Sequence, residues 1–467
     1  MSARLSSERG AILIHVAVAS IVLIAFTMFV VDYGVMWVSR NQAQNAADSG
    51  ALAGAVALAF DDSTNRLDDG PVKQAAQQFA LSNAVFGEAP DVQVDTDVIF
   101  YPDDPTKFPD ECADDTCVRV DVYRNQARAN PLPIMFGQLV GVPDQGVRAT
   151  ATAQALAGNA AQCVKPWVIA DRWDEDDDLL NESSWDQSKP FNLATDPDPD
   201  PDDGVPDYYE PPSFDSETDV FISGTGFGRT DGGGALVDYG YQFILRMANP
   251  GGGSELGVRS PGWVMTVDLP NASVGTEGLP TVLDNIANCH DGIVAVADED
   301  NPCEEPSSED PADYPDGIVA MTCLSVEPGN AWGPQETALE DWIGPDDIND
   351  YWDSSLNGGF GGPSNASSRR IIPLALFNPQ HYASHGWTGA NGVVKIVNIL
   401  GFFIQGTCGG GTPIDGPGFA HEGYLACSSS GPANDLVGRL VTIPGEFAGG
   451  VGEVGPASFT QVIRLIR

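Results

Sequence analysis

His381 and His385 stand four residues apart in NPQHYASH, a spacing that places two imidazoles on one helical turn, where they can share a zinc ion. Tyr382, however, occupies the place where a zinc peptidase of that pattern carries its glutamate base, and Pro379 closely precedes the pair. Zinc hydrolysis is therefore not expected, and His290 beside Cys289 and His421 beside Glu422 read as surface or core residues. A second cluster is acidic. Asp198, Asp200 and Asp202 alternate with proline, followed by Asp203, Gly204 and Asp207. Alternating oxygen donors suit calcium, although the glycine arrives one position later than in an EF-hand. Calcium held by Asp198, Asp200, Asp202 and Asp207 is one reading, and a solvated acidic linker is the other. No other cofactor is expected.

Other catalytic patterns are missing. A P-loop needs a Gly-Lys pair so that the ammonium reaches the phosphates, and the sequence contains none. The glycine run GTGFGRTDGGG breaks the dinucleotide pattern at Arg229 and reads as a β-turn region. The Gly-x-Ser-x-Gly elbow of serine hydrolases does not occur. No catalytic residue and no small-molecule substrate is expected.

A formal charge of -44 argues against phosphate-backbone binding, because that affinity comes from Lys and Arg displacing condensed counterions. No nucleic-acid partner is expected. The eight cysteines include no CxxC pair, so an even count points to disulfides in an oxidising compartment. Pairing by proximity joins Cys112 to Cys117, Cys289 to Cys303 and Cys408 to Cys427, which leaves Cys163 for Cys323.

Residues 11–31 are almost all apolar, and at about 1.5 Å per residue a helix of that run covers roughly 30 Å, the thickness of a bilayer's hydrocarbon core. The run is long for a signal peptide and passes into helix-favouring sequence without a turn, so it is expected to stay as an anchor. Arg4 and Arg9 precede it and acidic sequence follows Arg40, which puts the N-terminus in the cytoplasm and the bulk in the periplasm of a single-pass inner-membrane protein. The helix should continue to about Phe60. Gln42, Ala46, Ala47, Gly50, Ala51 and Gly54 recur three and four apart, forming either a seam for a partner or close packing within the chain.

Residues 72–86 have a helical apolar face. Residues 92–101, 117–125 and 147–157 alternate apolar with polar as strands do. Together they make an α+β module, a long helix against an antiparallel sheet. Residues 174–218 are acidic and proline-rich, which argues against a packed core there. From residue 219 short apolar pieces alternate with Gly and Pro, the pattern of a mainly β, loop-rich, disulfide-containing domain. GVVKIVNILGFFIQG, interrupted by Lys395, Asn398 and Gln405, reads as a buried central strand, and the final apolar piece as a strand pairing into a sheet.

The start Glu8-Arg9-Gly10-Ala11, the uncharged span, Asp32-Tyr33-Gly34, Arg40 and the run from Gln44 through Asp48, Gly50 and Gly54 to Ala55 resemble the N-terminal region of TadG-like proteins of the Tad (Flp, tight adherence) pilus-assembly system. The Ala-Thr-Ala pattern between Ala149 and Ala153 resembles that family too, and CVKP, at Cys163 to Pro166, resembles the stretch that follows the pilin-like part in short members. Related pseudopilins have glutamate five residues after a peptidase-site glycine, whereas His15 follows Gly10 here, so the anchor is expected to be retained. The Asp-x-Ser-x-Ser metal site of larger members is absent, which makes this a short form without a von Willebrand A domain. The resemblance implies a non-enzymatic assembly component that contacts minor pseudopilins or other Tad proteins and supports adherence and biofilm formation. The second reading is a calcium-dependent adhesion protein with a pilin-like anchor, and the third a membrane-tethered hydrolase using His381, His385 or His421.

The expected organisation is a cytoplasmic tail (1–10), an anchor and continuing helix (11–60), a pilin-like module (61–160), an acidic segment (161–218) and a mainly β periplasmic domain (219–467).

Overall fold

In the computed structural model of the chain, the apolar run and the alanine-rich segment form one uninterrupted helix, α1 (Glu8–Phe60). No proline breaks it, and good helix formers carry it past the apolar stretch. The structure describes residues 8–60, 67–174 apart from 102, 110, 111, 113–115, 142 and 143, then 191 and 207–211, and within 213–466 the residues outside 216–219, 223, 230–237, 248–262, 270–280, 290–291, 299, 309, 314–318, 328–331, 348, 357–359, 362–367, 388–391, 410–411, 415–434 and 445–459. These form an α+β protein of two units, one comprising Met1–Ala155 with Ile463–Arg467 and the other Leu156–Val462.

In the first unit, α2 (Pro71–Ser82) starts with proline at its first position, where the missing N–H costs nothing, and buries Val72, Ala76 and Ala80. A single helical turn, α3 (Val94–Asp97), leads into β1 (Val98–Phe100), then β2 (Cys117–Arg124) and β3 (Val147–Ala157). These three strands are consecutive and antiparallel. The continuous strand expected over residues 92–101 is therefore corrected. The Asp97 carboxylate accepts the Gln93 N–H at 2.8 Å and binds Arg128 at 2.7 Å, and the first of these bonds stabilises a turn that period-two alternation does not register. The core lies between α1, α2 and the sheet. Val118, Val120 and Val122 are fully buried there, worth about 1.5–3 kcal/mol each.

The second unit contains β4 (Ala160–Gln162), β5 (Trp167–Ala170), β6 (Ser213–Asp215), β7 (Val220–Ile222), β8 (Gln242–Met247), β9 (Trp263–Thr266), α4 (Val282–Ala287), β10 (Ile293–Ala295), β11 (Ala320–Met321), β12 (Cys323–Ser325), α5 (Trp332–Asp347), β13 (Tyr351–Trp352), β14 (Phe360–Gly361), β15 (Ile371–Phe377), α6 (Pro379–Ser384), β16 (Val393–Gly409), β17 (Thr412–Ile414), β18 (Asp435–Val441) and β19 (Ile443–Pro444). A last strand, β20 (Thr460–Ile466), runs to the C-terminal residues of the first unit.

Strand β16 is the spine of the second unit, pairing with β12, β15, β17 and β18. Its pairings with β15 and β18, continued through β5, β9 and β8, close a ring of six strands. Alternate residues of β5 enter different cores, Trp167 and Ile169 on one face and Val168 and Ala170 on the other. With both faces covered, these strands read as unbroken apolar runs. Phe191 and Tyr209, inside the acidic segment expected to lack a packed core, are buried, with Phe191 set edge-on to Trp173 at 5.2 Å.

The disulfides correct two of the pairings made by proximity. Cys112–Cys117 forms as expected, but Cys163 bonds Cys289 and Cys303 bonds Cys323. Gln162 pairs with Ile293 across antiparallel β4 and β10, which brings the cysteine just after β4 beside the one just before β10. The side chain of Cys408 and all of Cys427 lie outside the described residues.

Candidate functional site

The small-residue face of α1 is covered by its own chain. Ala43, Ala46, Ala47, Ala51 and Ala55 have no exposed surface, and they meet Val72, Ala76 and Ala80 of α2 and the valines of β2. A β-carbon on Gly50 would stand 2.9 Å from both the Ala76 carbonyl oxygen and Ala80 Cβ. The seam expected for a partner at Ala46, Ala47, Gly50, Ala51 and Gly54 is thus corrected to internal packing, because α2 and the sheet occupy the space such a partner would need. Gln42, half-buried, accepts the Phe86 N–H at 2.7 Å and so holds a residue with a left-handed backbone, φ 50°. What α1 leaves exposed beyond the apolar run includes Arg40, Asn41, Asn45 and Val56.

Asp32 closes the apolar run. Its carboxylate accepts hydrogen bonds from three consecutive backbone N–H groups, Met135 at 2.9 Å, Phe136 at 3.1 Å and Gly137 at 2.6 Å. Sequence reading identified Asp32 only as part of a family resemblance. Nothing local signals its partners, which come from a loop a hundred residues later. On β2 and β3, Asp121 gathers Arg119 (3.1 Å), Arg148 (2.8 Å) and the Thr150 hydroxyl (2.6 Å). Burial alone would raise its pKa, but the Thr150 hydroxyl and the two guanidinium groups hold the carboxyl below its ordinary range.

In the second unit the stretch CVKPWVIADRW supplies three of the buried charged groups, Lys165, Asp171 and Arg172. Lys165 donates to the carbonyls of Ile286 (2.8 Å) and Asn288 (3.2 Å) at the end of α4 and lies 3.4 Å from the centroid of Trp342. Burial lowers its pKa to about 7. Asp171 accepts the Phe227 and Arg172 N–H groups at 2.9 Å and the Tyr209 hydroxyl at 3.0 Å, and burial nonetheless raises its pKa to about 7. The signal for Lys165 is a charge inside an otherwise apolar run, whereas Asp171 ends that run beside Arg172.

His381 and His385 do share a helical turn, with ring centroids 4.5 Å apart, but His381 Nε2 hydrogen-bonds the Pro302 carbonyl at 2.7 Å and His385 stacks on Trp387. Among the described residues no group of three or more His, Cys, Asp or Glu side chains is placed to hold a metal. Asp198, Asp200, Asp202 and His421 lie outside the described residues, and Asp207 is half-buried.

One helix among the described residues is long and apolar enough to cross a membrane. This is α1, whose candidate span starts at Ile12; none of its apolar window is buried, and it is a candidate membrane anchor. The family described as "Putative Flp pilus-assembly TadE/G-like" matches residues 10–57, and that described as "Putative Tad-like Flp pilus-assembly" matches residues 53–153. No curated protein and no solved structure matches the chain. The two family matches overlap at residues 53–57 and together cover α1, α2 and strands β1 to β3, so through residues 10–153 the chain is similar to the TadE/G-like proteins of the Tad/Flp pilus-assembly system.

Proposed function

We propose that this chain is a non-enzymatic, single-pass inner-membrane component of Tad/Flp pilus assembly, with its N-terminus cytoplasmic and its bulk periplasmic. It works by contacts with minor pseudopilins or the assembly platform, in support of adherence and biofilm formation. The observation that carries this reading is that the family matches coincide with a folded unit whose helix begins as a bare apolar rod and ends as a packed core element. Because the alanine and glycine face is filled from within, partner contact falls to the exposed positions of the same helix, Asn41, Asn45 and Val56.

In-cell crosslinking from a photoreactive residue at Asn45 tests it. Adducts with pseudopilins or platform proteins support the assembly reading, and adducts confined to this chain or to unrelated proteins overturn it. The calcium reading of Asp198, Asp200, Asp202 and Asp207 is separate, and a melting temperature that stays the same in calcium and in chelator removes it.

A further inference from the structure

We infer that the loop of residues 132–141 is a second membrane contact, laid on the bilayer surface beside the point where α1 emerges and held there by Asp32. The inference rests on the anchor reading above. An apolar run over residues 11–31 spans roughly 30 Å, so Asp32 falls where hydrocarbon gives way to headgroups. It is the only formal charge between Arg9 and Arg40. A carboxylate at that depth needs donors to replace lost water, and the loop provides them through the N–H groups of Met135, Phe136 and Gly137. The loop therefore sits at the level of the helix exit.

The composition of the loop fits that place. Residues 132–141, LPIMFGQLVG, carry no charge. Met135 is 60% exposed at its tip while Leu132 is buried beneath. On α1, just past Asp32, Tyr33 (49%), Met36 (37%) and Trp37 (57%) are exposed as well. Amphipathic aromatic side chains at a helix exit belong to the headgroup belt, and a methionine held at the same height completes an apolar rim there. Lipid is the occupant this geometry selects, since the rim is continuous with a helix surface that is itself bare and apolar.

The test uses the full chain in phospholipid vesicles, with an environment-sensitive fluorophore on single cysteines introduced as Met135→Cys, Val22→Cys or Asn41→Cys, and with nitroxide lipids that quench near the headgroup or near the bilayer centre. The expected result is strong central quenching at Val22, strong headgroup-level quenching with a blue shift at Met135, and neither at Asn41, about 13 Å further along the helix from Asp32. Adding Asp32→Ala should bring the Met135 signal down to that of Asn41. Quenching at Val22 without quenching at Met135 overturns the loop contact while leaving the anchor. A blue shift at Met135 without quenching means that protein covers the loop and also overturns it. No quenching at Val22 overturns the anchor reading and this inference with it. Full quenching at Met135 in the Asp32→Ala background overturns the role given to Asp32.

Discussion

Gly54 of α1 lies against Val118 of β2 so closely that a β-carbon on the glycine would stand 2.9 Å from Val118 Cγ1. The helix and the sheet touch backbone to side chain, with no layer between them. Gly54→Leu and Gly50→Leu should each destabilise the first unit by about 1–3 kcal/mol, the cost of forcing extra atoms into a filled core. Gly34→Ala, which meets nothing within 4 Å, should be neutral or slightly stabilising. Thermal melting of the full chain in detergent separates the two outcomes, and equal melting temperatures for all three variants would contradict the packing.

Asp171 should make the second unit less stable as pH rises through the weakly acid range. Burial lifts its folded pKa to about 7 from the ordinary 3.8, so the folded chain keeps a proton that the unfolded chain releases. The contribution is fully present below the unfolded value, is lost as pH climbs to about 7, and is level beyond that. Asp171→Asn should flatten this dependence while keeping an oxygen for the Phe227 and Arg172 N–H groups. Melting curves from pH 4 to 8 check it, and an unchanged slope in the variant would contradict it.

Lys165 joins β5 to the end of α4. Lys165→Met keeps most of the volume but leaves the carbonyls of Ile286 and Asn288 without their charged donor, which should cost about 1–3 kcal/mol. Denaturant titration of the full chain measures this.

The disulfides predict a peptide map. Digestion without reduction should release Cys163 joined to Cys289 and Cys303 joined to Cys323. Replacing both Cys163 and Cys289 with serine opens a bridge between residues 126 apart and should cost about 2–5 kcal/mol. A map with Cys163 on Cys323 would contradict the pairing.

Much of this fold could be read from residue patterns, where the pattern and the packing share a period. Val147–Ala157 alternates and is a strand over those residues, and the apolar run around Asn398 is the central strand β16. The turn at Val94–Asp97 escaped because its stabiliser is a side chain bonding back to Gln93, in a stretch that still alternates. Cysteine pairing escaped because it follows from which strands become neighbours, and β4 meets β10 across a long stretch of intervening sequence. The small-residue face of α1 was legible as a face, but spacing along one helix carries no record of which element fills it. Asp32 and Lys165 each stand as a lone charge among apolar residues, but the sequence alone carries no sign of their partners, which come from distant segments.

The C-terminal residues Ile463–Arg467 belong to the N-terminal unit, where Arg464 reaches Gln154 at 3.0 Å across 310 residues of sequence. Ile463 and Leu465 also pack on that unit's core. A ribosome adds residues at about 5–20 per second, so β3 waits on the order of 15–60 s for these neighbours to be made. During that interval the first module of the nascent chain is incomplete. A product that stops before Ile463 never completes it, which ties maturation of the first module to synthesis of the whole second unit.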